Sequence, residues 1–230
     1  MRVLSYNIRK AVGLDRRHNP ERVLRVIAES GADVAILQEA DKRLGARPAA
    51  IPKRLIEMES EYDAVDLGAT DVSLGWHGNA VLVKPGIRVL GLRRLPLPGL
   101  EPRGAVLVEV EREGLGRVTL VGAHLGLLRR WRRRQMHALG QHIAPEDRGR
   151  TIIAGDFNEW APEGGFEPLG RTFSLVTPGR SFHAAYPVAP LDRFVHGEGL
   201  AVTGSGVIRD GHARQASDHL PVWAEFAPAP

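Results

Sequence analysis

The sequence predicts one mixed α/β or α+β domain, not a helical bundle, and three observations carry that prediction. Apolar runs of strand length recur from one end of the chain to the other, and segments with helical spacing are interleaved among them. Short links containing Gly or Pro join several neighbouring runs, which favours hairpins and a largely antiparallel arrangement. The chain has 230 residues, enough for one large domain with a substantial core, and two-sheet folds of this size are commonly undivided. Residues 1–230 are therefore read as a single domain.

Arg2 to Ile8 alternates as a strand. Asn19 followed by Pro20 starts a helix, with the N-cap and first-turn proline in the expected order; Val23, Leu24 and Ile27 form its buried face and Gly31 ends it. "DVAILQE" is an interior strand ending on Gln38 and Glu39, and Ile51 to Ser60 reads as helical. The runs "YDAVDLG", "GNAVLVK", "IRVLGLRRL", "GAVLVEVER" and "RVTLVGAHL" follow as strands. "PLPGLEPRG" is too short for a domain linker and is taken as a loop between two of them. Arg130 to Ile143 is a further helix, with Met136, Leu139 and Ile143 on one face. Thr151 to Ala154, Leu191 to His196, Ala201 to Ile208 and Leu220 to Phe226 supply the remaining strands.

Composition narrows the chemistry. Cysteine is absent, which excludes disulfides, zinc thiolate sites and thiol nucleophiles, so any metal must bind oxygen or nitrogen. The formal charge is only +4, yet a pI of about 9.8 and a cationic complement that is nearly all arginine suit an anionic partner with phosphate or carboxylate groups. The N-terminus begins directly with a strand pattern and lacks the zones of a signal peptide. No apolar stretch approaches the ~20 residues needed to span a bilayer, so a soluble, cytoplasmic protein without stable membrane insertion is expected, and a monomer is the simplest form.

Several apolar runs end on polar groups, which are costly beside a core unless they are paired or bind something. Asn7 follows "VLSY", Glu39 follows "VAILQ", Asn79 precedes "AVLV" and His124 follows "TLVGA". In "TIIAGDFNEW" the glycine lets the backbone open at the strand end, and alternation points Asp156 and Asn158 to one side with Phe157 opposite. Asp192 in "PLDRF" and the adjacent Asp218 and His219 in "ASDHLP" complete the set. Each alone has a bland explanation as a cap, a turn former or a solvated strand end; their recurrence at strand ends favours a shared site. Oxygen ligands such as Glu39, Asp218 and the Asn7 amide suit a hard cation, Mg²⁺ or Mn²⁺. A phosphoester site needs such a cation, an activated water and a donor for the leaving oxygen, and the set contains all three.

"SYNI", "LQE", "GNAVL", "AHLG", "GDFN", "LDRF" and "SDHLP", in this order over Arg2 to about Pro221, resemble the endonuclease/exonuclease/phosphatase family, with its deoxyribonuclease I, apurinic endonuclease, sphingomyelinase and inositol polyphosphate 5-phosphatase branches. The resemblance implies a deoxyribonuclease I-like, four-layer architecture: a two-sheet sandwich flanked by helices, with the site at one edge. It implies Glu39 as principal metal ligand, with Asn7 and Asp218 beside it. Asp156 would orient and deprotonate the attacking water, Asn158 would hold the phosphate, and His219, oriented by Asp192, would donate to it. His124 stands where apurinic endonucleases carry tyrosine, and in other branches it serves as general acid or phosphate ligand. Deoxyribonuclease I pairs that histidine with a glutamate, where this sequence offers Asn79.

Arg103, just before an interior strand, and Arg9 are candidates to clamp a phosphate; the alternative for Arg9 and Lys10 is an exposed loop. "RRWRRRQ" is taken as a solvated cationic helix face, with a nucleic-acid or membrane patch as the alternative. Trp76, His77 and Trp160 would either wall a pocket or pack. The expected activity is Mg²⁺- or Mn²⁺-dependent hydrolysis of a phosphodiester, small or lipid-like. A nuclease acting on DNA or RNA is the alternative, and a binding protein on the same fold a third reading.

Overall fold

The computed structural model describes residues 1–161, 164–170 and 172–230. The chain runs β1 (Arg2–Asn7), α1 (Pro20–Glu29), β2 (Val34–Gln38), α2 (Lys53–Glu59), β3 (Asp63–Ala64), β4 (Ala80–Val83), β5 (Arg88–Leu97), β6 (Arg103–Arg112), β7 (Gly116–His124), α3 (Arg129–His142), β8 (Thr151–Asp156), β9 (Phe173–Val176), β10 (Asp192–Gly197), β11 (Leu200–Val207), α4 (Ala213–Ala216) and β12 (Val222–Pro228). Two six-stranded sheets result, ordered β11-β12-β1-β2-β4-β3 and β5-β6-β7-β8-β10-β9. Most pairings are antiparallel, but β1 with β2 and β7 with β8 are parallel. The expected strand over "YDAVDLG" shrinks to Asp63–Ala64, and Phe173–Val176 is a strand that its sparse apolar pattern does not announce.

Side-chain alternation builds the layers. Val3, Val34, Ile36, Val106, Leu120, Ile152, Ala154 and Phe194 point between the sheets, while Leu4, Tyr6, Ala35 and Leu37 point outward to α1, where Val23, Leu24 and Ile27 meet them. On the other outer face Leu107, Val121 and Ile153 pack with Met136 and Leu139 of α3. Strands buried on both faces read as continuous apolar runs, which is why β2 and β8 are unbroken. The sheets approach closely at Gly122, where a Cβ would stand 2.8 Å from Ile36 Cγ2 and 3.0 Å from Val106 Cγ2. Asn19 caps α1 as expected, its Oδ1 accepting the Arg22 backbone N–H at 2.8 Å. Among the described residues no helix is long and apolar enough to cross a membrane.

Candidate active site

Register places the polar strand ends together. His124 and Asp192 are both level with Asp156, on the strands that flank β8, and Asn7 closes β1 in the other sheet. Across the gap between the sheets, Asn7 Nδ2 donates to Asp156 Oδ2 at 3.1 Å. The same oxygen lies 3.4 Å from His124 Nε2 and 3.7 Å from His219 Nε2. His219 Nδ1 faces Asp192 Oδ2 at 2.8 Å, an oxygen that also accepts the Ser181 hydroxyl at 2.5 Å. Asp156, Asp192, His124 and His219 are all buried.

Burial and charge set the protonation states. Burial pushes the His124 imidazole down to about 3, Asp156 opposing it and Arg103 reinforcing it, so the ring is neutral at ordinary pH. Burial also disfavours the charged His219, but Asp192 and Asp156 overcome it and hold that ring up at about 10. Burial raises the Asp156 carboxyl above its ordinary value against the pull of His124 and His219. One buried cation thus faces one buried carboxylate with a raised proton affinity, a pattern that separates an acid from a base.

Asn158 lies just past β8 with φ +51°; its backbone N–H donates to Asp156 Oδ1 at 2.9 Å and its Nδ2 to the Leu125 carbonyl at 2.9 Å. It is therefore brought beside Asp156 by a turn and not by strand alternation. Phe157 points away into the cluster under α3, as expected. Gly155 does not loosen the strand: a Cβ there would meet the Ala123 carbonyl oxygen at 1.8 Å, so its role is close approach of β7. Among the described residues no hydrogen bond joins Asn79 to His124. Its Nδ2 bonds the carbonyls of Gly104 at 2.9 Å and Trp76 at 3.3 Å, so it braces the wall beside Arg103, and the neutrality of His124 comes from burial.

Glu39 lines the cleft, and Asp218 is tied to the turn after β1. Glu39 sits at φ +54°; Lys10 Nζ is hydrogen-bonded to its Oε2, and Arg43 Nη2 lies 3.7 Å from its Oε1. Arg9 is 3.4 Å from Asp218 and gives its backbone N–H to Asn7 Oδ1 at 3.1 Å, so the turn after β1 is engaged and not a free loop. Ser217 donates to the Asn7 carbonyl at 2.7 Å, tying the "SDH" segment to β1. A carboxylate that gathers cations on both oxygens, on a cleft shared with Asn7, fits a hard divalent ion. Asp156, Asp192 and His219 also present ligand atoms within 4.8 Å of one another. There Asp192 Oδ2 accepts from Ser181 and faces His219, while its Oδ1 is buried without a hydrogen-bond partner.

One cleft is lined by Asn7, Glu39, Arg103, His124, Asp156 and His219, with Asn158 and the half-exposed Trp160 at its side. Arg103 is salt-bridged to Glu101 at 3.0 Å. Phe182, whose ring lies 4.9 Å from that of His219, and Ser181 were not identified from sequence; neither carries a charge, and their placement depends on the strand pairing. Arg132 departs from the expected solvated helix face. It is buried and pairs with Glu159 at 2.9 Å, because α3 turns that edge toward the loop after β8.

The chain matches the Endonuclease/Exonuclease/phosphatase family over residues 4–219. It belongs to this family. Members are generally hydrolases of phosphoesters and typically use divalent metals. Escherichia coli (strain K12) carries a relative, the uncharacterized protein YbhP, 27% identical over 161 residues, which are 66% of this chain. The chain spans 63% of the length of that relative. Among solved structures, the Bacteroides thetaiotaomicron mannosyl-6-phosphatase Bt3783 superposes with a TM-score of 0.75 at 16% identity over 99% of both chains. D. rerio TDP2, complexed with a single-strand DNA product, gives 0.74 at 18% identity over 98% of both chains. At these identities the structures show the shared deoxyribonuclease I-like fold.

Proposed function

We propose that this single-domain protein is a Mg²⁺- or Mn²⁺-dependent phosphoesterase that hydrolyses a phosphodiester by in-line attack of water, with no covalent enzyme intermediate. The observation that carries the reading is the convergence of Asn7, His124 and His219 on one oxygen of Asp156, with Asp192 behind His219. Asp156 holds the water and accepts its proton at Oδ2; the oxygen so freed bonds to phosphorus as the bond to the leaving oxygen breaks, and that oxygen departs with the bonding pair and takes a proton from solvent. His219, charged and oriented by Asp192, donates from Nε2 to the phosphate as negative charge develops. Neutral His124, Asn158 and Arg103 supply further contacts to the phosphate, with Arg9 outside them holding Asp218. A divalent cation on Glu39, Asp218 and Asn7 would stabilise that developing charge as a Lewis acid.

TDP2 in complex with a DNA product supports a nuclease as the second reading, and the Bacteroides phosphatase supports a small substrate. The test is a divalent-metal panel against bis-p-nitrophenyl phosphate, p-nitrophenyl phosphate, single- and double-stranded DNA, RNA and lipid phosphodiesters. Chelation should abolish hydrolysis, and Asp156→Asn, which keeps the shape but cannot take a proton, should lower kcat by about 10² to 10⁴ in a protein that remains folded. Full activity in EDTA, or an Asp156→Asn protein within a few-fold of wild type, would overturn the mechanism.

A further inference from the structure

The turn that follows β1 reaches the carboxylate of Glu39. Arg9, Lys10 and Ala11 take left-handed backbone in succession, at φ +46°, +56° and +58°, a conformation that is costly for a residue with a Cβ and persists where the surroundings over-determine it. The surroundings here are hydrogen bonds. Ile8 and Lys10 give their backbone N–H groups to the Gln38 and Glu39 carbonyls at 3.0 and 3.1 Å, and the Ala11 carbonyl takes the Asn19 N–H at 2.8 Å. The turn thereby sends two consecutive cations to two carboxylates, Arg9 to Asp218 at 3.4 Å and Lys10 to Glu39 Oε2. Arg43, from the loop after β2, lies 3.7 Å from the other Glu39 oxygen.

A structural tie does not account for the Lys10 ammonium. The main chain of Lys10 is already bonded to that of Glu39, and a pair whose lysine is 31% exposed adds little to stability. Glu39, by contrast, lines the cleft with Asn7, Asp156 and His219. With the backbone fixed, only the flexible four-carbon stem of Lys10 is free to move, and it borders a concavity of about 160 Å³ beside that cleft. The other carboxylates of the concavity are engaged: Asp41 takes the backbone N–H groups of Leu74 at 2.7 Å and Gly75 at 3.1 Å, and Glu101 pairs with Arg103 at 3.0 Å. Cations outnumber carboxylates on its wall, so a divalent ion arriving at Glu39 meets a positive field unless one of those cations withdraws.

We propose that Lys10 is a built-in competitor for the divalent cation: its ammonium occupies Glu39 Oε2, and metal binding displaces it into the concavity. The inference rests on Glu39 as a metal ligand, the reading given above. A monovalent ion brings no more charge than the ammonium it would replace, so the exchange favours a divalent one. It also holds metal affinity below what the carboxylate alone would give, because the ion must separate a formed pair and then lie close to the displaced charge.

Calorimetric titration with Mn²⁺ on wild type, Lys10→Met and Lys10→Arg tests the exchange without turnover. Lys10→Met keeps an unbranched stem and removes the charge, so it should bind Mn²⁺ at least about tenfold tighter; Lys10→Arg, which restores the charge, should not. A lysine that merely supports Glu39 predicts the opposite, weaker metal binding in Lys10→Met. A second measurement needs no variant: amine acetylation of the wild-type protein, read at each lysine by mass spectrometry. Lys10 should label slowly in EDTA and several-fold faster with Mn²⁺, while Lys53 and Lys84, paired with Asp66 and Glu61 and not lining the cleft, should not change. Unchanged or weaker Mn²⁺ affinity in Lys10→Met, an equal gain in Lys10→Arg, or Lys10 labelling that Mn²⁺ does not alter would overturn the exchange. If wild type still binds Mn²⁺ in that case and Glu39→Gln loses it, the metal reading stands; no Mn²⁺ binding by wild type would overturn both.

Discussion

Asp156 offers a single buried oxygen to Asn7, His124 and His219, so their protons are distributed by environment and not by intrinsic basicity. The two imidazoles illustrate this: both are buried, but only His219 has a carboxylate at 2.8 Å from Nδ1, and its pKa lies at about 10 while that of His124 falls to about 3. Since the His219 value is raised above its ordinary 6.5, the charged ring stabilises the fold fully below about pH 6.5, and that contribution is lost as pH rises through about 10. The same proton governs the proposed reaction, so kcat/KM should fall on an alkaline limb well above the usual histidine range. Asp192→Asn removes the partner charge, and the limb should move down toward 6.5 in a pH profile of kcat/KM. An unmoved limb would separate His219 from the proton donor.

At the scale of elements, α3 acts as a clamp. Arg132 Nη1 donates to the Leu127 carbonyl at 2.6 Å and Nη2 to Glu159 at 2.9 Å, while Gln135 accepts the Gly126 N–H at 2.8 Å. The helix thereby fixes the segment after His124 against the segment after Asn158. Removing one member of a buried pair leaves the other uncompensated, so Arg132→Ala should cost about 3–5 kcal/mol, whereas Arg133→Ser, at an exposed pair with Glu167, should stay within about 0.5 kcal/mol. Urea unfolding of the two variants checks this; equal stabilities would remove the clamp. Sequence could not show it, because "RRWRRRQ" has the same composition whether one arginine faces Glu159 or water. The site was more legible: Asn7, Glu39, Asp156 and His219 each end or adjoin an interior strand, and parallel pairing of β1 with β2 and of β7 with β8 brings such ends to one edge. Ser181, Phe182 and the bracing role of Asn79 arise from tertiary contacts between distant segments, which no local pattern encodes.

Across the whole molecule, the high arginine content does not amount to a track for a polyanion. Arg22 pairs with Asp15, Arg112 with Asp33, Arg117 with Glu109 and Arg132 with Glu159, so much of the positive charge is neutralised locally. On α3 the exposed cations that lack such partners among the described residues are Arg129, Arg130 and Arg134, the last two lying over Trp131. A nuclease that grips duplex DNA needs several phosphate contacts away from the chemistry, and its affinity then falls steeply with salt. With only a short cationic strip on α3, DNA cleavage should be weak and sequence-indifferent, and should fall much more than turnover of a small diester between about 50 and 200 mM salt. The comparison is kcat/KM on plasmid DNA against bis-p-nitrophenyl phosphate across that range, in wild type and in a variant with Arg129, Arg130 and Arg134 all changed to Ser. Arg132 is left intact there, since its loss would unfold the clamp and mimic a binding defect. Efficient duplex cleavage near physiological ionic strength, abolished in that variant, would make α3 a DNA-binding face and promote the nuclease reading over the small phosphoester.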